Sequence, residues 1–354
     1  MNKRENLLSI FRRQGYETIP VHYGMCPSLK ERFDAYCKEH ELDFDIEPAY
    51  ESLSWIEPAP YDRQAYWKYY DVDFKEGTYL DPMGVAHEPG SEAAFHMTRM
   101  YHPMEHFDSV EQIEAYPFLD YTGISGEKQA EEVKKLHKRG LAACGNMQCT
   151  VWETSWYLRG MENLMMDMMC EDPMAEVLLD KITDMAVKKA VIYAEAGADL
   201  LFLGDDIGMQ NSIMMSEQLY CDWLKPHIAK VIEKAKEAKP DILVLYHSCG
   251  YVTPFIPHLI EAGVDVLNPI QPECMDFQEI HDAYGEQLSF HGTIGTQTTM
   301  PYGTADDVRR AVFQNLDIAG RKGGLLAAPT HLLEPEVPVE NVLAYLKACS
   351  DYTK

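Results

Sequence analysis

The stretch Leu243-Val-Leu-Tyr-His247-Ser-Cys249-Gly250 decides how this chain is read. The apolar run from Ile242 to Leu245 predicts a buried strand. It ends in two metal-binding residue types, His247 and Cys249, and then a glycine. Residues two apart on a strand share a face, so the imidazole and the thiol point the same way from the strand's C-terminal end. In parallel α/β folds that end carries the chemistry, and imidazole with thiolate suits zinc. Standing alone, His-x-Cys is a short motif, and a buried cysteine also serves as a small hydrophobe.

Outward from this stretch, one phrase occurs twice. Glu195-Ala-Gly-Ala-Asp199 precedes Leu200-Leu-Phe-Leu-Gly-Asp205-Asp206, and Glu261-Ala-Gly-Val-Asp265 precedes Val266-Leu-Asn268-Pro-Ile-Gln271. Each predicts a helix, a glycine cap, and an apolar strand with polar residues at its end. Leu141 to Met147, Gly285 to Gly292 and Gly323 to His331 complete six strand candidates. Helical periodicity is predicted over 3–14, 28–42, 126–138, 172–196, 213–239, 254–262, 277–284 and 304–320. Strands alternating with helices imply a parallel sheet. Polar residues end nearly every strand and no Gly-x-Gly-x-x-Gly turn follows one, so a (β/α)8 barrel fits better than a doubly wound sheet. From Pro48 to His106 the pattern is weak, and long loops with short helices are expected to cover one end of the barrel. His96, His102 and His106 are read there as surface-loop residues. The whole chain, 1–354, is read as one α/β domain, with 1–107 an N-terminal helical and loop elaboration and 108–354 the main barrel.

Composition sets the outer limits. The 354 residues are 46% hydrophobic and 25% charged, with a formal net charge of −26. Such a chain repels phosphate, which argues against nucleic acid and anionic membranes as partners. Nine cysteines lack any Cys-x-x-Cys pair, and the charged amphipathic N-terminus is unlike a secretory leader. The expectation is a reduced, cytoplasmic protein with no membrane span. A barrel of this size is compatible with a homodimer. The dense methionines of Met161 to Met169 are read as core.

At the barrel mouth this reading gathers Asp205, Asp206, Gln210, His247, Cys249, Asn268, Gln271, His291, Gln297 and His331. His247, Cys249 and His331 form the candidate metal set, since three protein ligands with an open position is the catalytic zinc pattern. Asp205 and Asp206 are candidate catalytic carboxylates, further oxygen ligands, or partners that orient a ligand imidazole. Backbone capping is their structural alternative. Asn268, Gln271, His291, Gln297 and Gln210 are candidate substrate contacts, and Cys274 is a spare ligand.

These residues carry a resemblance. The run from His247 to Gln271, together with Asp205-Asp-Ile-Gly, His291-Gly-Thr-Ile-Gly-Thr-Gln297 and Gly323-Gly-Leu-Leu-Ala-Ala-Pro-Thr-His331, is similar to the uroporphyrinogen decarboxylase superfamily. The resemblance implies a TIM barrel. It also implies one of two chemistries: metal-free decarboxylation of a tetrapyrrole, or zinc-dependent methyl transfer between a corrinoid and a thiol such as coenzyme M. The decarboxylase branch carries arginines in an N-terminal segment for substrate carboxylates, and Arg12-Arg13-Gln-Gly-Tyr16 departs from that pattern. The methyltransferase branch carries His-x-Cys and a later Cys as zinc ligands. His247 and Cys249 match, and His331 stands in the last position. No Asp-x-His-x-x-Gly corrinoid signature is present, so a corrinoid would arrive on a partner protein or as free cofactor. The expectation is therefore a zinc methyltransferase acting on a corrinoid and a small acceptor. A tetrapyrrole decarboxylase using Asp81 or Asp206, and a non-catalytic corrinoid or metal carrier, are the alternatives.

Overall fold

The computed structural model describes residues 1–42, 47–90 and 98–352. Ten strands follow in chain order: β1 (Tyr50–Ser52), β2 (Tyr79–Leu80), β3 (Ala86–Glu88), β4 (Arg99–Tyr101), β5 (Ala142–Gln148), β6 (Leu200–Gly204), β7 (Leu243–His247), β8 (Val266–Asn268), β9 (Ser289–His291) and β10 (Leu325–Leu326). Seven of them form one parallel sheet in the order β1-β5-β6-β7-β8-β9-β10. The barrel architecture expected from the sequence is present, with seven hydrogen-bonded strands among the described residues where eight were expected. The segment around His22 runs between the sheet's edges. Met25 bridges Leu333 in parallel, and His22 Nε2 and the Tyr50 hydroxyl share a hydrogen bond of 3.0 Å.

Alternation along the strands explains where the site forms. Ala142, Cys144, Leu200, Leu243, Leu245, Val266 and Leu326 form one buried cluster inside the sheet. The helix Lys3–Phe11 plugs its floor with Leu7, Ile10 and Phe11. Its last residues sit tightly on the strand ends: Gly324 N donates to Ile10 O at 2.8 Å, and Ser289 Oγ donates to Phe11 O at 2.7 Å. Two residues further along the same strand faces come Asn146, Phe202, His247, Asn268 and His291. An apolar floor thus lies under a polar mouth. The opposite strand faces, such as Leu201, Val244, Tyr246 and Phe290, pack in the outer core with the helices.

The repeated Ala-Gly-x-Asp phrase has one structural job. Gly197 and Gly263 take positive φ (94° and 101°) after helices Pro173–Glu195 and Ile256–Ala262, the left-handed conformation that glycine adopts without steric cost. The aspartate then reaches across to the preceding strand. Asp199 Oδ2 accepts from Ala143 N at 3.0 Å, and Asp265 Oδ2 accepts from Val244 N at 2.8 Å. Asp199 also takes Arg4 in two-point contact, which ties the floor helix to the sheet.

Several expectations are corrected. Tyr50–Ser52 pairs with β5, so the barrel sheet draws on the segment read as elaboration. The strands β2, β3 and β4 form a separate three-stranded antiparallel sheet where long loops and short helices were expected. The single helix expected over 213–239 is two, Glu217–Trp223 and Lys225–Ala238. Ser216 caps the first through Leu219 N, and Pro226 in the first turn of the second cannot donate to the preceding turn. The Met161–Met169 run is a helix with Met168 buried but Met166 and Met169 58% and 67% exposed, so it is core on one face only. His106 is exposed, whereas His102 is half-buried and bonds the Tyr157 carbonyl at 2.8 Å. His96 lies outside the described residues. No helix among the described residues is long and apolar enough to cross a membrane.

Candidate metal centre and cleft

His247 ends β7 with its ring toward the barrel interior. Gly204 lies opposite it in register on β6. A Cβ at Gly204 would stand 2.8 Å from His247 Cβ, so this glycine makes the room the imidazole occupies. The ring's orientation is fixed from behind. His247 Nδ1 lies 2.6 Å from Asn268 Oδ1, and Asn268 Nδ2 donates to the His291 carbonyl at 2.7 Å. The second bond sets which end of the amide is oxygen. Nδ1 must therefore carry the proton, leaving the Nε2 lone pair free.

That lone pair faces the other donors. Cys249 Sγ is 3.5 Å from Nε2 and Asp206 Oδ1 is 3.7 Å from it. Ligand atoms of Asp206, His247 and Cys249 all lie within 4.8 Å of one another, and they form the one such group found among the described residues. Asp206 Oδ1 also accepts from Cys249 N at 2.8 Å, which binds the β6 and β7 loops together. Burial pushes the Cys249 thiol well up, and the charges of Asp206, Glu153 and Cys274 add to this. A dication is the counter-charge that would reverse this and hold the thiolate. Imidazole, thiolate and carboxylate are a competent zinc set, so the residues fit that metal.

The set differs from the expected one in its third member. Asp206 approaches where His331 was expected. His331 is exposed, with its ring centroid 6.3 Å from that of His247, and it lines the neighbouring cleft. Cys274 stays outside the group and lines a different depression with Glu273 and Phe277.

Asp205 is corrected more sharply. Its side chain is buried and takes the amides of Val151 (3.1 Å) and Glu153 (2.9 Å). It caps the helix Trp152–Arg159 instead of meeting the mouth, the structural role that backbone capping offered. His291 likewise lies below the mouth. Its ring is buried beside His22 (centroids 4.9 Å apart) with neither nitrogen hydrogen-bonded. Burial, then His22 and His247, hold its pKa well below the usual histidine range, so it is neutral and does not line the cleft. Asp81, the decarboxylase candidate, holds a turn through the amides of Met83 and Val85.

Gln271 supports the loop after β7, accepting from Gly250 N at 3.1 Å. Gly250 has φ +84°, and a Cβ there would meet Met209 O at 2.7 Å. Gln210 and Gln297 pair reciprocally through their amides at 3.1 Å across the rim. With Cys249, Gln271, Thr330 and His331 they line a cleft of about 520 Å³.

Glu153 was not singled out by sequence. It donates nothing to the metal group directly, but its Oε2 accepts from Asp206 N at 3.2 Å and its Oε1 from the Tyr157 hydroxyl at 2.9 Å. Burial, then Asp206, pushes its carboxyl up to about 7. The available signal was its place five residues after the end of β5, obscured by the aromatic residues around it.

Asn268→Ala removes the brace behind His247. Loss of such a partner is expected to weaken zinc binding about 10–100-fold, measured by competition with a chelator. Unchanged affinity would show that the ring is oriented by packing alone.

Comparison with known proteins agrees with this architecture. The profile described as uroporphyrinogen decarboxylase (URO-D) matches residues 83–352. The curated methylcobamide:CoM methyltransferase MtaA of Methanosarcina barkeri is 24% identical over 178 residues, 50% of this chain and 49% of that protein. The match thus spans about half the length of that relative. A solved methyltransferase from Methanosarcina mazei superposes with a TM-score of 0.68 at 17% identity, covering 99% of this chain and 98% of that one, which shows a shared fold. With three-quarters of its length matched by the family profile, and its fold shared with a methyltransferase, this chain belongs to the uroporphyrinogen decarboxylase family.

Proposed function

We propose that the protein is a zinc-dependent methyltransferase that moves a methyl group between a corrinoid and a thiol or other small acceptor. The observation that carries this reading is the convergence of Asp206, His247 and Cys249, with the His247 Nε2 lone pair turned toward the other two. The similarity to a methylcobamide:CoM methyltransferase supports it. A zinc ion held there would lower the pKa of an acceptor thiol and keep it as thiolate. His247 and Cys249 would hold the metal, with Asp206 the third ligand. Gln210 and Gln297 contact substrate from the rim, and Asn268 and Gln271 act through His247 and Gly250. In the forward direction the acceptor sulfur bonds to the methyl carbon as the cobalt–carbon bond breaks. The corrinoid would keep the bonding electron pair, and the thiol's proton would leave to solvent. The corrinoid comes from a partner protein or as the free cofactor, and the protein works in the cytoplasm.

The test is demethylation of methylcobalamin by a thiol, followed spectroscopically with zinc-loaded protein. Asp206→Ala is expected to lower zinc content and rate together, and His331→Ala to change the rate more than the zinc content. The reverse pattern would return His331 to the ligand set. Carbon dioxide release from uroporphyrinogen, with no methyl transfer to any acceptor, would overturn the proposal.

A further inference from the structure

The cleft beside Cys249 is lined by neutral amides and hydroxyls, by His331, and by Glu334 and Glu336. No lysine or arginine is among its lining residues. The sequence extends this property to most of the barrel mouth. The segments leaving the C-terminal ends of β6, β7, β8, β9 and β10 are residues 205–216, 248–255, 269–276, 292–304 and 327–338. Together they contain no Lys or Arg, although the chain has 31. They do contain Asp205, Asp206, Glu273, Asp276, Glu334 and Glu336.

Two arginines near this end of the barrel are already engaged. Arg159 is buried against Asp167 at 2.8 Å and donates to the carbonyls of Met104 and Phe107. Arg32 donates to the carbonyls of Pro335 and Val337, the backbone on either side of Glu336. It shapes that loop and is committed to its carbonyls.

The charge balance follows from the donors. A zinc ion with one thiolate, one carboxylate and one neutral imidazole has no net charge. An acceptor thiolate brings one negative charge. A second anionic group on the same molecule would enter a cleft whose described lining offers it no lysine or arginine and holds carboxylates at its edge. Sulfonates, carboxylates and phosphates are recognised by arginine or lysine, and like charges within a few ångströms repel strongly in a partly dehydrated cleft.

We infer that the acceptor is a small thiol whose remote group is uncharged or cationic, and that the cleft rejects acceptors carrying a second anionic group. This rests on the methyltransferase reading and narrows its substrate class. It sets this chain apart from a relative whose name includes coenzyme M, a mercaptosulfonate.

Three thiols of one length test the inference: cysteamine, 2-mercaptoethanol and 2-mercaptoethanesulfonate. Their binding to zinc-loaded protein is measured by calorimetry and referred to the thiolate concentration at each pH. Methylcobalamin demethylation is followed beside it. Cysteamine and mercaptoethanol are expected to bind at least about tenfold tighter than the sulfonate at low salt, with the gap closing as ionic strength rises. Glu336→Lys is expected to shrink the gap. Sulfonate binding as tight as cysteamine, or a gap indifferent to salt and to Glu336→Lys, overturns the charge rule. The expected binding order with no methyl transfer to any of the three overturns the methyltransferase reading and leaves the charge rule standing. No thiol binding at all overturns both.

Discussion

Replacing Cys249 by serine is expected to strip the protein of zinc and to abolish methyl transfer. Serine keeps the size of the side chain, but its hydroxyl does not ionise at neutral pH and is a poor zinc ligand. What remains is one imidazole and one carboxylate, Asp206, which also serves the Cys249 amide. Losing a partner that only orients a ligand costs about 10–100-fold in metal affinity, so losing a ligand outright exceeds that. Elemental analysis of protein purified without added metal should give about one zinc per chain and almost none in Cys249→Ser. Folding should survive, because Cys249 is only half-buried and packs at the mouth rather than in the floor cluster. A melting temperature close to that of the parent makes the metal loss interpretable. Full zinc retention in Cys249→Ser would remove the thiol from the site and return it to an ordinary pocket residue.

Asp205→Ala is expected to be the most damaging change to stability among the mouth residues, and to act without touching the metal. The Asp205 carboxylate takes the first amides of the helix Trp152–Arg159, at Val151 and Glu153. These are the donors that a helix leaves unpaired at its start. Alanine would leave them buried without acceptors, at about 1–3 kcal/mol for each group. A loss on the order of 3 kcal/mol follows, read from the urea midpoint at unchanged slope. The helix carries Glu153, which holds the Asp206 amide, so some activity is lost as well. Asp205→Asn keeps an acceptor and should restore most of the stability. If Asp205→Ala instead left stability within about 0.5 kcal/mol and eliminated turnover, Asp205 would be a catalytic carboxylate after all. The two neighbouring aspartates thus separate cleanly: one stabilises a helix start, the other faces His247 and Cys249.

The sequence alone determined the repeating architecture and the shared face of the candidate donor pair. Short continuous apolar runs ending in polar residues, with Ala-Gly-x-Asp phrases between them, specify strand and cap locally. His247 and Cys249 share a face because they are two apart, which needs no knowledge of the rest of the chain. The helix Phe277–Tyr284 is seen with the expected limits for the same local reason. Tertiary structure decided what depends on neighbours from distant parts of the chain. Asp205 and Asp206 are adjacent in sequence, and their roles diverge because one side chain meets the helix start at Val151 and the other meets Cys249 N. His331 follows a matching Pro-Thr phrase, yet the path of its loop leaves it on the rim while Asp206 takes the nearer place. The strand Tyr50–Ser52 is three residues long and has no periodicity of its own to read. It exists because β5 offers it an edge. Glu153 was hidden for the same reason: its carboxyl is set by burial and by Asp206, a charge 53 residues away in sequence. Local spacing fixes which way a side chain points, but only the folded chain fixes what it meets there.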